Sequence, residues 1–169
     1  YAGYPMLVWL LARCFGRDVA SHPVTPSVSL VIPAFNEEAH LEEKLRNSVD
    51  LDYPKDRLEV VVASDGSTDR TNAIARQFAD RGVRLLAMRD HVGKSTLLDR
   101  TIPLLQSDIV VFSDASCQLA RDALRQVIAP FADPRVGCVS GLYRLIRGSV
   151  GDLRARGEGL YWRYETWIK

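Results

Sequence analysis

Four short apolar runs, each closed by a polar loop and followed by residues at helical spacing, constrain this chain more than any other feature. They are VSLVI at 28–32, LEVVVAS at 58–64, VRLLA at 83–87 and DIVVFS at 108–113. Between the first two, residues 37–49 place Leu41, Leu45 and Val49 at helical spacing. Thr71 to Phe78 reads as a second helix with Asp69 as its N-cap. Lys94 to Leu105 reads as a third, its end perturbed by Pro103, and residues 120–131 as a fourth. One or two further strands are expected in VGCVSGLYRLI at 136–146. Strands that alternate with helices and are apolar on both sides imply a parallel sheet covered on both faces. Ligands of such sheets bind at the carboxyl ends of the strands. PAFNE follows the first strand, DGSTD the second, HVGK the third and DAS the fourth, so four polar loops share one edge.

At 169 residues, 47% hydrophobic and 25% charged, the chain suits one globular α/β domain. Its net charge of +1 gives no reason to expect nucleic acid as a partner. Cys14, Cys117 and Cys138 lie far apart without CxxC spacing, which argues against a disulfide framework or a zinc site and fits a reducing compartment. His22, His40 and His91 form no metal-ligand cluster.

The ends have a different character. YAGYPMLVWLLA is almost wholly apolar and is followed by Arg13 and Arg17. It is too short to span a bilayer by itself. Residues 1–20 are expected to be the end of a membrane helix and its juxtamembrane segment, the arginines placing the rest of the chain on the cytoplasmic side; an apolar helix packed on the domain, or a signal-peptide remnant, is the alternative. Residues 21–27, SHPVTPS, read as a linker and 28–150 as the ligand-binding unit. Residues 151–169 read as an amphipathic helix weakened by Gly157 and Gly159. The chain is expected to be a piece of a longer protein.

HVGKST resembles the end of a Walker A phosphate loop, but the full motif needs a Gly five residues before Gly93, and Met88 stands there. Residues 89–92 contain no Gly that would let backbone N–H groups wrap a phosphate. What survives is Lys94 near a helix N-terminus after a strand, where a cation can meet a diphosphate. Asp65 opens a Gly-Ser turn and can accept hydrogen bonds from a base or a ribose, or serve only the turn. Asp114 ends an apolar strand, where a carboxylate suits a divalent metal bridging phosphate oxygens, or a helix cap.

Taken together, VSLVIPAFNEE, VVVASDGSTDRT, HVGK and DIVVFSDAS resemble the nucleotide-sugar-binding half of the family 2 glycosyltransferases over about 28–141. The apolar start and amphipathic tail are similar to those of membrane-bound processive members such as cellulose, chitin and hyaluronan synthases. The resemblance implies a GT-A fold, Rossmann-like and mostly parallel with helices on both faces, here truncated. It implies inverting transfer of a sugar from a nucleoside diphosphate sugar, UDP by family habit, to a glycan or lipid acceptor. Pro33, Ala34, Phe35 and Glu37 would line the nucleoside pocket, Asp65 would bond the base with Gly66 giving room, and Lys94 would lie near the phosphates. Asp114 matches the first Asp of the DxD motif that holds Mg or Mn.

Two positions depart from the family pattern. Ser64 replaces the first Asp of DDGS, and Ser116 replaces the last Asp of DxD, leaving coordination to Asp114, the phosphates and water. The general base, a carboxylate, and the acceptor-side QxxRW motif are expected downstream of Lys169; Glu158 and Glu165 read as surface or helix-pairing residues. On that reading the 169 residues bind a nucleotide but do not transfer sugar. A nucleotidyltransferase is the alternative enzyme, yet it would want a Gly-rich basic loop where PAFNEE is acidic. A noncatalytic module that keeps the fold is the third reading.

Overall fold

A computed structural model describes residues 3–15 and 18–142. The four expected strands form β1 (Val28–Ala34), β2 (Leu58–Asp65), β3 (Val83–Met88) and β4 (Ile109–Phe112). All pairings are parallel and the order is β3-β2-β1-β4, with Val28 opposite Leu58 on one side and Ile109 on the other. The chain steps outward from β1 to β3 and then crosses back, so strand order reverses between β1 and β4. That switch point is where an open α/β sheet presents a crevice. Pro33 fits beside it: by the two-residue period its nitrogen lies on the β4 side, like the Val31 carbonyl that accepts the Ser113 N–H at 3.1 Å. β4 ends at Phe112, so no ladder bond is lost there.

The helices are α1 (Gly3–Phe15), α2 (Leu41–Val49), α3 (Thr71–Gln77), α4 (Lys94–Thr101) and α5 (Ala123–Ile128). Alternation along the strands divides the core. Leu30, Ile32, Ala34, Val60 and Val62 pack with Leu41 and Leu45 of α2, Ile74 of α3 and Leu124 of α5. Val31, Val61 and Ala63 turn to the other face against Leu97 of α4. Both faces are thus covered, as the continuous apolar runs require.

The differences from the sequence reading lie at the element ends. α2 starts at Leu41 rather than Glu37, because the backbone of residues 37–38 is engaged by the loop after β2. α4 stops at Thr101 and passes into a 3₁₀ turn, Ile102–Leu104, that holds Pro103. α5 is shorter than expected, since Pro130 has no N–H to continue the ladder, and Ala129–Ala132 is 3₁₀. Residues 136–142 hold no strand; the rest of that expected segment, like the tail helix with Glu158 and Glu165, lies outside the described residues. Gly66 and Gly93 both have positive φ, 67° and 87°.

Residues 18–27 run without regular structure along the domain. The Tyr53 hydroxyl donates to the Pro26 carbonyl at 2.7 Å, and Ser27 donates to Asp108 from both its N–H and its hydroxyl. Among the described residues no helix is long and apolar enough to cross a membrane. α1 nonetheless exposes Tyr4, Met6, Leu7, Trp9, Leu10 and Leu11.

Candidate functional site

The loops after β1 and β2 form one interlocked unit. Asn36 takes φ 53°, a left-handed conformation that Asn tolerates better than most residues. Its side-chain oxygen accepts the Thr68 N–H at 2.9 Å, and its own N–H donates to the Ser67 hydroxyl at 3.2 Å. The next N–H groups donate to Thr71 Oγ1 (from Glu37, 2.8 Å) and Asp69 Oδ2 (from Glu38, 3.1 Å). Glu38 returns the bond, accepting the Arg70 N–H at 3.0 Å. Asp69 also accepts the N–H of Thr71, the first residue of α3, at 2.9 Å; the N-cap position itself falls to Arg70, one residue later than expected, and Arg70 makes no side-chain cap bond. Burial works to raise the Asp69 pKa, but these donors outweigh it and the carboxyl lies below its ordinary value.

Asp65, at the end of β2, reaches the third loop. It is 2% exposed, with Oδ1 accepting the Val92 N–H and Oδ2 the Gly93 N–H, both at 2.8 Å. His91 Nδ1 lies 2.9 Å from Oδ2, and the His91 ring stacks on Phe35 with centroids 4.0 Å apart. Gly66 permits the close approach: a Cβ there would stand 2.6 Å from both Asp90 C and His91 N. The room Gly66 gives is thus taken by the backbone of residues 90–91, and the Asp65 carboxylate is occupied by residues 91–93.

On the crevice side, Lys94 opens α4 and its Nζ donates to Asp114 Oδ1 at 2.6 Å. Both side chains are about half exposed, so the pair stands at the mouth of the crevice. Ser116 is exposed, two residues on, in a turn closed by the Cys117 N–H donating to the Asp114 carbonyl at 3.1 Å. No group of three or more His, Cys, Asp or Glu side chains suited to a metal occurs among the described residues. A single carboxylate with a neighbouring hydroxyl suits an ion that keeps waters and shares phosphate oxygens, as Mg and Mn do.

Of the residues singled out in the sequence, Phe35, Asp65, Gly66, Lys94, Asp114 and Ser116 gather at the carboxyl ends of the strands. Pro33 is half-buried beside the switch point and Glu37 holds the first turn before α2. Ala34 packs into the core under α2 and α3. Sequence reasoning missed Lys44, wholly buried on α2, whose Nζ donates to Ser113 Oγ and the Cys117 carbonyl, each at 2.6 Å. Burial lowers its pKa to about 8, against the raising fields of Cys117 and Asp114. The signal was present: Leu41, Lys44, Leu45, Ser48 and Val49 form one buried stripe, and a Lys on such a stripe needs a partner.

A four-stranded parallel sheet whose carboxyl-end loops carry a cation, carboxylates and an aromatic ring is an α/β unit of GT-A type. The chain belongs to glycosyl transferase family 2, whose profile matches residues 29–167. A beta-monoglucosyldiacylglycerol synthase of Synechocystis sp. is 36% identical over 138 residues, covering 79% of this chain and 29% of that protein. A mannosyltransferase of Pyrobaculum calidifontis, solved in complex with GDP-Man and Mn2+, superposes with a TM-score of 0.70 at 35% identity, over 80% of this chain and 42% of that one. TarS 1–349 of S. aureus, solved with UDP-GlcNAc, shares the fold at a TM-score of 0.57 and 24% identity, over 61% of this chain and 30% of that one. The chain spans 29–31% of the length of the first curated relatives it matches.

Proposed function

We propose that this chain is the donor-binding part of a glycosyltransferase that moves a sugar, with inversion, from a nucleoside diphosphate sugar to a lipid or glycan acceptor. The observation that carries the reading is the Lys94–Asp114 pair at the crevice mouth, 2.6 Å apart, beside a loop fastened by Asp65. A cation and a carboxylate at one spot suit a diphosphate and its counter-ion together. The nucleoside would lie beside the exposed Phe35, on the loops that Asp65 and Gly66 hold together. A divalent ion held by Asp114, with Ser116 nearby, would neutralise the departing nucleoside diphosphate. The Mn2+ in the mannosyltransferase complex supports that role.

The base that accepts the acceptor's proton, and the acceptor side itself, would lie outside these 169 residues, which match 29% of the synthase's length. Uridine diphosphate is the donor nucleotide expected from family habit. The mannosyltransferase's GDP-Man favours guanosine diphosphate as a second reading. A lipid acceptor agrees with the diacylglycerol in the synthase's name and with the apolar residues exposed on α1, which would lie against the cytoplasmic face of a membrane. Calorimetric titration of the full-length protein with UDP and GDP, each with Mn2+, tests the assignment. Binding of one is expected, and binding of neither overturns the reading.

A further inference from the structure

Lys44 donates to Ser113 and to Cys117, the two residues that bracket Asp114, Ala115 and Ser116. One turn further along α2, Asn47 grips the same loop through both amide atoms, accepting the Leu119 N–H and donating to the Leu119 carbonyl, each at 2.9 Å. Helix α2 therefore holds the loop after β4 from inside, at its start, its middle and its end. Among the described residues no carboxylate lies within ion-pair distance of Lys44. A buried ammonium with only neutral direct partners is costly. It is favoured where anions gather above it, here Asp114 and, when bound, a diphosphate.

We propose that Lys44 is a positioning residue of the donor site: its buried ammonium spans the 113–117 turn from beneath and fixes Asp114 and Ser116 for the nucleoside diphosphate and its metal ion. The inference rests on the donor-binding reading above. Lys94 meets the ligand from the solvent side, while Lys44 acts through the turn and touches nothing that reacts. Groups that orient a metal-binding residue are worth roughly 10–100-fold in affinity.

The test uses the full-length protein with Mn2+ and whichever of UDP or GDP it binds. Lys44→Met is expected to weaken the nucleotide–Mn2+ complex by roughly 10–100-fold and to change the EPR spectrum of bound Mn2+. Loss of global stability alone leaves that spectrum unchanged in the folded fraction. Ser113→Ala is expected to weaken binding less, and the double variant no more than Lys44→Met alone, since both remove one linkage. Lys44→Met binding within about twofold of wild type, with the same Mn2+ spectrum, overturns this proposal while leaving the donor-binding reading intact. Should Lys44→Met not fold, unchanged affinity and spectrum in Ser113→Ala overturn it. Wild type binding neither nucleotide overturns the donor-binding reading, and this proposal with it.

Discussion

Asp65 and Gly93 are joined across two loops: Asp65 Oδ2 accepts the Gly93 N–H at 2.8 Å, and its companion Oδ1 accepts the N–H of Val92 at the same distance. A carboxylate that holds two successive N–H groups fixes the backbone leading into α4, and so the point from which Lys94 projects. Removing it leaves two donors without partners in a largely buried place. Asp65→Ala is expected to lower stability by at least about 3 kcal/mol, each of the two bonds to the charged acceptor being worth about 1.5–3 kcal/mol. Nucleotide binding should fall as well. Urea denaturation and calorimetry check the two effects, and a variant as stable as wild type would contradict the anchoring role.

Gly66 and Gly82 offer a matched comparison. Both have positive φ, 67° and 85°, but a Cβ on Gly66 would lie 2.6 Å from Asp90 and His91 backbone atoms, whereas one on Gly82 would meet nothing within 4 Å. Gly82→Ala therefore suffers only conformational strain, about 1–2 kcal/mol. Gly66→Ala adds a collision with backbone that cannot swing aside, and should cost at least about 1 kcal/mol more while displacing the His91 loop. Equal losses in chemical denaturation would show that the close approach contributes nothing.

The parallel sheet and the clustering of four loops are legible because β-branched runs and helical spacing are local signals, and every strand ends within two residues of where its apolar run does. Less legible is what each polar residue does. A sequence cannot tell whether Asp65 faces a base or two backbone N–H groups, since that depends on the path of residues 90–93, some 25 positions away. The start of α2 is misread for a similar reason: Thr71 and Asp69, distant in sequence, engage the N–H groups of Glu37 and Glu38. Lys44 is hidden by its charge, because a Lys between Glu43 and Leu45 reads as solvent-facing until the stripe of Leu41, Leu45 and Ser48 is drawn through it.

The segment before β1 is strapped to the domain by Asp133. This carboxylate is 4% exposed and receives the Arg135 guanidinium at 2.6 Å, the Arg135 N–H at 3.0 Å and the Ala20 N–H at 3.4 Å. Arg135 in turn donates to the Asp18 carbonyl at 3.1 Å. The guanidinium, then the backbone donors, hold the Asp133 carboxyl well below the usual carboxylate range. With the folded pKa depressed, the stabilisation is present above the ordinary value of 3.8 and is lost as the pH falls through the folded one. Asp133→Asn should therefore reduce stability at pH 7, and the deficit should shrink as the pH drops below about 4. It should also speed proteolysis near residues 18–20. A deficit independent of pH would exclude the carboxylate as its source.

Lys44 gives a dependence at the alkaline end. Its pKa lies near 8 in the folded chain against 10.5 ordinarily, first through burial, with Cys117 and Asp114 pulling the other way. Because the folded pKa is lowered, the unfolded chain binds the extra proton between those values, and stability rises with pH across that interval. The full shift corresponds to about 3 kcal/mol. Wild type should gain on Lys44→Met as the pH goes from 8 to 10.5 in urea titrations, a comparison that cancels the titration of other groups. Nucleotide affinity should decline as the pH rises through about 8, where the folded chain loses the positive charge beneath Asp114. No relative gain would place the ammonium in a better solvated site than the structure gives it.

Replacing Lys94, unlike replacing Asp114, should have opposite effects on two different titrations. Their 2.6 Å pair is about half exposed, so the attraction is worth at most about 1 kcal/mol. Without a nucleotide, Lys94 competes with a metal ion for the carboxylate. Lys94→Ala is therefore expected to let Mn2+ alone bind up to about fivefold more tightly. With UDP or GDP present the cation has a second partner, the diphosphate, and its loss should weaken the nucleotide–Mn2+ complex, by about tenfold for one charge-assisted bond of roughly 1.5 kcal/mol. Asp114→Asn should weaken both, since a neutral amide oxygen is a poor substitute for a carboxylate toward a hard dication. Mn2+ EPR titrations with and without nucleotide separate these cases. If Lys94→Ala shifts both titrations in the same direction, the pair does not bridge metal and phosphate, and Lys94 is a surface cation that happens to rest on Asp114.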